Sequence, residues 1–324
     1  LDIVHRNKKL IEEKTLKVKE PVITNKAILK KIFWYSLPFI MIDMFKSLYD
    51  FIDMTTVVKT LGSTLNYPTK DAESIMSIIS TWGNKFNMII SSVSTGVIVS
   101  LIPNLTASFV VGNKKDINHK INQTFQVLLF LTIPMTIGLS MLASPVWMVF
   151  YGASKYGAVV FKYFVFIALF MSAYTTAVTI VQVLKDYKTV FISLFTGALL
   201  KALLNVKLMI AFSNMSSPAF YGSITATILG YFVSLMICMY SLHKKYEVSY
   251  KDTFKEILNI ILASLLMIVG LLLLRFVCPS VVSSRLLNVL IIALYTIVGA
   301  LIYFVVTYKT GTINRIFGKE FIDK

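Results

Sequence analysis

The sequence predicts an all-helical, polytopic membrane bundle of about eight transmembrane helices. Of its 324 residues 56% are hydrophobic and 15% charged, against about 25% charged in an ordinary soluble domain. Eight apolar stretches, at about 33–58, 75–102, 123–144, 158–183, 189–212, 217–241, 256–277 and 286–307, approach or exceed the roughly 20 residues that cross about 30 Å of hydrocarbon. The connections are short, and most of the lysines lie in them. The net charge of +16 therefore reads as membrane orientation rather than nucleic-acid binding.

Residues 1–31 are basic and mixed. An interfacial amphipathic helix and a plain solvated linker fit this cytoplasmic segment equally. Residues 32–245 are expected to form a six-helix lobe whose first two spans, 33–58 and 75–102, are the most polar. Residues 246–310 hold the final two spans, and the run Ala263 to Leu274 is among the purest apolar sequence in the chain. Residues 311–324 form a short tail. About 22 of the 32 Lys and Arg fall in the segments before span one, in alternate connections and after span eight, so both ends are expected in the cytoplasm. The opposite set holds only Lys59, Lys70, Lys155, Arg275 and Arg285. The chain opens on Leu1 and is expected to be a piece of a longer protein.

Charge inside the spans is the strongest functional signal. Lys46, Lys85, Lys162, Lys201 and Lys207 lie within apolar stretches, where an ionisable group needs a partner or a wet cavity. Asp43, Lys46, Asp50 and Asp53 of the first span fall within an arc of about 80° on a helix. That face reads as a cavity wall handling protons, sodium or a charged substrate. The same spacing suits a structural ion-pair ladder, or a helix end reaching water, which fits Asp53 best. In the second span Ser77, Thr81, Asn84, Lys85, Ser92 and Thr95 make a polar stripe. It suits a cavity wall or helix–helix contacts. Asn205 follows Lys201 by one turn, so the two can share a ligand. Lys162 and Lys207 sit nearer span ends and are expected to snorkel.

Enzyme chemistry finds no support. Cys238 and Cys278 build neither a disulfide framework nor a zinc site. His5, His119 and His243 lie in polar segments, and no nucleophile, Walker or metalloprotease motif occurs. Asp252 and Glu256 read as charges at a helix N-terminus. No catalytic residue, metal or cofactor is expected.

An ordered set of motifs runs through the chain: Leu101-Ile102-Pro103-Asn104-Leu105-Thr106-Ala107-Ser108, Gly112-Asn113-Lys114-Lys115-Asp116, Ile133-Pro134-Met135-Thr136-Ile137-Gly138-Leu139, and Phe150-Tyr151-Gly152. Ser36-Leu37-Pro38, Asp53, the segment Gln182 to Lys188 and the Gly197, Lys201, Asn205 helix fit with it. The set resembles the polysaccharide-exporter branch of the MOP superfamily, in particular its MurJ-like and stage V sporulation protein B group. The acids Asp43 and Asp50 with Lys46 have no match in that pattern.

The resemblance implies the second lobe plus the two extra helices of a fourteen-helix transporter, with the N-terminal lobe as a missing partner. It implies flipping of an undecaprenyl-pyrophosphate-linked glycan such as lipid II, a peptidoglycan precursor, across the cell membrane by alternating access. A groove for the lipid tail would be flanked by spans 256–277 and 286–307. Lys46, Lys85, Lys201 and Asn205 would bind substrate. Asp43, Asp50 and Asp53 would couple ions, with protons or sodium as candidates. The alternative is an ion-coupled multidrug antiporter of the related multidrug-and-toxin-extrusion (MATE) branch. That cavity would be acidic and aromatic, whereas this sequence supplies lysines.

Overall fold

The structure is a computed structural model that describes residues 25–279, 281–282 and 284–318. Most of the expected N-terminal linker and the last six residues lie outside the described residues. All regular structure among the described residues is helical. The helices are α1 Asn25–Lys59, α2 Thr69–Ser77, α3 Gly83–Val111, α4 Lys114–Met141, α5 Ala143–Tyr151, α6 Gly157–Phe164, α7 Phe166–Val183, α8 Tyr187–Asn214, α9 Phe220–Tyr246, α10 Lys251–Val277, α11 Arg285–Lys309 and α12 Thr312–Phe317. The chain divides after Met41. Among the described residues, those up to Met41 fall in one compact unit and those from Ile42 onward in another.

Seven helical stretches are long and apolar enough to cross a bilayer. They are Thr69–Val111 (α2 and α3 joined by a π-helical turn), α4, the continuous pair α6–α7, α8, α9, α10 and α11. The remaining expected span is α1. At 35 residues it has ample length, but Asp43, Lys46, Asp50 and Asp53 interrupt its apolar window.

Helix ends follow caps rather than hydropathy. Gly112 closes α3 at φ +73°, a left-handed position that glycine takes without strain. Asn113 then caps α4, its side chain accepting the Asp116 N–H at 3.2 Å, so α4 begins at Lys114 rather than near 123. Asp186 caps α8 in the same way. Pro134 sits inside α4 and cannot donate to the carbonyl one turn earlier. That carbonyl, on Phe130, accepts the Tyr303 hydroxyl of α11 at 2.7 Å. A carbonyl freed within the membrane is thereby satisfied.

The α6–α7 stretch is the most enclosed of the candidate spans, with 67% of its apolar window buried, whereas the window of α11 is 17% buried. Helices α8 and α9 pack side by side, α4 meets α3, α7 and α10, and α11 lies against α10 and α5. The outer faces of α10 and α11 carry Leu258, Leu262, Leu265, Leu273, Leu290, Ile297 and Leu301, all exposed, as a lipid-facing pair requires.

Candidate functional site

A charged cluster is buried where α1, α8 and α9 meet. Lys201 is fully buried and Asp53 is 5% exposed. The Lys201 ammonium lies 2.7 Å from Asp53 Oδ2 and donates to the Tyr49 carbonyl at 2.8 Å. Asp53 Oδ1 accepts from the Ser223 hydroxyl at 2.8 Å and from Asn205 Nδ2 at 3.2 Å. Asn205 Nδ2 also donates to Thr56 Oγ1 at 2.7 Å. The ligand that Lys201 and Asn205 share is thus a carboxylate of α1. Both its oxygens are occupied, as a buried ion pair needs if it is to offset its desolvation.

Aromatic packing seals the cluster. The Tyr49 ring lies 5.0 Å from the Lys201 ammonium and stacks on Tyr231 at 4.5 Å. The Tyr49 hydroxyl reaches between Gly197 of α8 and Gly230 of α9. A Cβ at Gly197 would stand 2.0 Å from Ser234 Oγ and 2.6 Å from Tyr49 Oη. Phe45 meets Phe191 edge-on at 5.9 Å. The expectation that Asp53 reaches water does not hold. Asp53 lies at one edge of the charged arc, the edge turned toward α8 and α9.

Of the other predicted residues, Asp50 is near enough to the cluster to interact electrostatically with Lys201 and Tyr231, whereas Lys85, Lys162 and Lys207 make no hydrogen bond or ion pair with it among the described residues. Asp43 and Asp50 are exposed on α1. The Lys46 side chain lies outside the described residues. Lys85 is exposed, its ammonium 4.9 Å from the Trp82 ring. Ser77, Thr81, Ser92 and Thr95 are exposed on the same stretch. Lys162 and Lys207 are exposed as well.

A second feature is an apolar groove of about 330 Å³ along α4, α5, α10 and α11. Phe130, Pro134 and Gly138 of α4 face Met267 and Leu271 of α10 and Gly299 and Tyr303 of α11 across it. Its only evident sequence signals are Pro134 and the two small residues, Gly138 and Gly299.

Polar contacts close the ends of the bundle. Arg315 of α12 holds Glu256 of α10 through two bonds, at 2.5 and 3.1 Å. Glu256, expected as a helix-start charge, is instead a 4%-exposed ion-pair partner. Glu256 keeps the Arg315 guanidinium protonated beyond its usual range. Asp186 accepts from Lys245 at 2.5 Å, Thr189 at 2.6 Å and Ser241 at 2.9 Å. Burial pushes the Asp186 carboxyl up, but these donors outweigh it and hold it below the usual carboxylate range.

Membrane-length helices around a buried polar cluster, with an apolar groove along one side, define a multi-pass helical membrane protein. The particular likeness is to lipid II flippases. Over 305 residues the chain is 28% identical to lipid II flippase MurJ of Bacillus subtilis (strain 168), a homology covering 92% of this chain and 55% of that protein. A solved structure of lipid II flippase MurJ, in an inward closed conformation, shares the fold with a TM-score of 0.54 at 21% identity. That match covers 81% of this chain and 52% of the solved one. No protein-family profile matches the chain. The chain spans about half the length of the proteins it matches.

Proposed function

We propose that this chain forms one lobe of a flippase that moves an undecaprenyl-pyrophosphate-linked glycan across the cell membrane, with lipid II as the reference substrate. The observation that carries the reading is the pairing of an apolar groove with polar surface on α1 and the α2–α3 stretch. A lipid-linked pyrophosphate needs both: hydrocarbon contact for its tail and cations in a wet path for its head. Helices α10 and α11 border the groove and shelter the tail. Lys85 grips the headgroup together with Lys46 and Lys201. Lys201 becomes available when Asp53 releases it, so the Asp53–Lys201 pair serves as a clasp between transport states. Asn205 moves with Lys201. Asp43, Asp50 and Asp53 respond to the coupling ion, a proton or sodium.

The polar surface of α1 and of the α2–α3 stretch meets a second helical lobe, and rocking of the two lobes gives alternating access. No bond is made or broken, so the protein is a transporter rather than an enzyme. The lysine bias supports a cytoplasmic side for both ends of the described chain. The multidrug-antiporter alternative is not favoured, because both likenesses are to lipid II flippases.

The test is growth rescue in cells depleted of their own lipid II flippase, using the protein in its natural full-length context. Wild type is expected to restore growth and Lys85→Glu and Lys201→Glu to abolish it at normal protein level, while Lys207→Glu is milder. Full rescue by the Lys85 and Lys201 variants would remove the headgroup assignment.

A further inference from the structure

A second cavity, of about 430 Å³, opens at the basic end of the bundle between the start of α4, the α9–α10 connection, the start of α10 and α12. It is polar, unlike the groove. Asn122, Gln126 and Glu256 make its floor, and Lys115, Lys255 and Arg315 stand among the residues around its mouth.

The floor is pre-built. Asn122 is held by the Ser249 carbonyl at 2.9 Å and by Thr253 at 2.5 Å. Glu256 is held by Arg315. Gln126 is only 9% exposed, lines the cavity and makes no side-chain hydrogen bond among the described residues. A cavity-lining amide that the protein leaves unbonded is available to hydrogen-bond a ligand there.

Charge selects the ligand. Arg315 is matched by Glu256. Lys115 and Lys255 form no ion pair among the described residues, and Asp252 is the one further acid at the cavity. One positive charge is therefore left over, which suits a monoanionic phosphodiester. Asp252 and Gln126 supply acceptors for hydroxyl groups. The site lies in the segments that hold the lysine excess, where anionic headgroups of the cytoplasmic leaflet gather.

The setting favours a lipid over a free solute. The α4 residues that line the cavity, Asn118, Asn122 and Gln126, continue at four-residue spacing into Phe130, Pro134 and Gly138 of the apolar groove. Phe130 meets Tyr303 at 5.3 Å and Phe317 at 5.5 Å, an aromatic set between the polar cavity and the apolar groove.

We propose that this cavity binds the phosphodiester headgroup of an anionic membrane lipid bearing hydroxyl groups, with phosphatidylglycerol as the probe. The inference does not depend on the flippase reading. The experiment is native mass spectrometry of the full chain released from membranes of mixed phosphatidylglycerol and phosphatidylcholine. Wild type is expected to retain phosphatidylglycerol. The Lys115→Gln/Lys255→Gln double variant is expected to retain at least fivefold less, and Gln126→Leu less than wild type. Lys244→Gln, outside the cavity, should match wild type. Thermal unfolding of each variant establishes that it folds. Equal retention by the folded double variant would overturn the proposal. So would displacement of the lipid by millimolar glycerol phosphate, because the cavity would then serve a free solute.

Discussion

Asp53 and Glu256 are buried to nearly the same degree, at 5% and 4% exposure, and each faces one cation, yet their surroundings are opposite. Asp53 meets a lysine with no exposed surface, and hydroxyl, amide and aromatic groups fill the space around the pair. Glu256 meets an arginine whose side chain is 45% exposed, beside a cavity of about 430 Å³. The first pair pays desolvation on both sides and persists only as a unit. The second keeps a wet edge and leaves neighbouring cations available. Burial of a carboxylate thus says little about its role until its partner's exposure is known.

The largest effect that would break this comparison is at Lys201. Lys201→Met leaves Asp53 buried without its counter-charge and is expected to cost about 3–5 kcal/mol, read as a fall in thermal stability in detergent. Adding Asp53→Asn should recover much of the loss, because no charge then remains unpaired. A Lys201→Met cost below about 1 kcal/mol would mean that water reaches the clasp and screens it.

Packing around the two regions differs just as sharply. Gly197→Ala puts a methyl 2.0 Å from Ser234 Oγ and 2.7 Å from the Gly230 carbonyl, so α8 and α9 must separate, at about 1–3 kcal/mol. Gly138→Ala, in the groove, meets nothing within 4 Å. It is expected to be neutral or to stabilise α4 by up to about 1 kcal/mol. Equal destabilisation by both substitutions would show that the groove is as tightly packed as the clasp.

The helical membrane class was legible because it rests on composition and span length, which need no tertiary information. Helix limits were not, since Asn113 starts α4 well before hydropathy rises. The pairing of Lys201 with Asn205 was readable from one-turn spacing. Their partner was not, because Asp53 is brought to them by packing of α1 on α8 and α9 and lies at the margin of its own charged arc. Ser223 and Tyr231 of α9 gave no signal, being ordinary residues for a membrane helix. The polar cavity draws on separate segments, and its His119, Asp252 and Glu256 read from the sequence only as polar-segment and helix-start residues. Pro134 did carry a signal, because a proline within a membrane helix leaves one carbonyl in need of a donor.

That carbonyl gives a smaller test on the groove side. Tyr303→Phe removes the donor to Phe130 and is expected to cost about 0.5–1.5 kcal/mol. In a Pro134→Ala background the alanine N–H takes over, so the same substitution should become nearly silent. Additive losses in the double variant would show that the Phe130 carbonyl is satisfied in another way.

The smallest expected effect concerns the Asp186 cluster, which resembles the Glu256 edge in having a half-exposed cation, Lys245. Because the folded protein holds the Asp186 carboxyl below its ordinary value, its contribution is present above about pH 4, the unfolded range of an aspartate. It is lost as pH falls further, through the folded value. Asp186→Asn should therefore lower stability at pH 6 and 7, and the gap from wild type should close below about pH 4. Thermal unfolding across that range measures it, and added salt should shrink the gap, since exposed ammonium groups are screened. A gap that stays constant with pH would assign the loss to the α8 cap alone. The acid would then act through its hydrogen bonds to Thr189 and Ser241 and not through its charge.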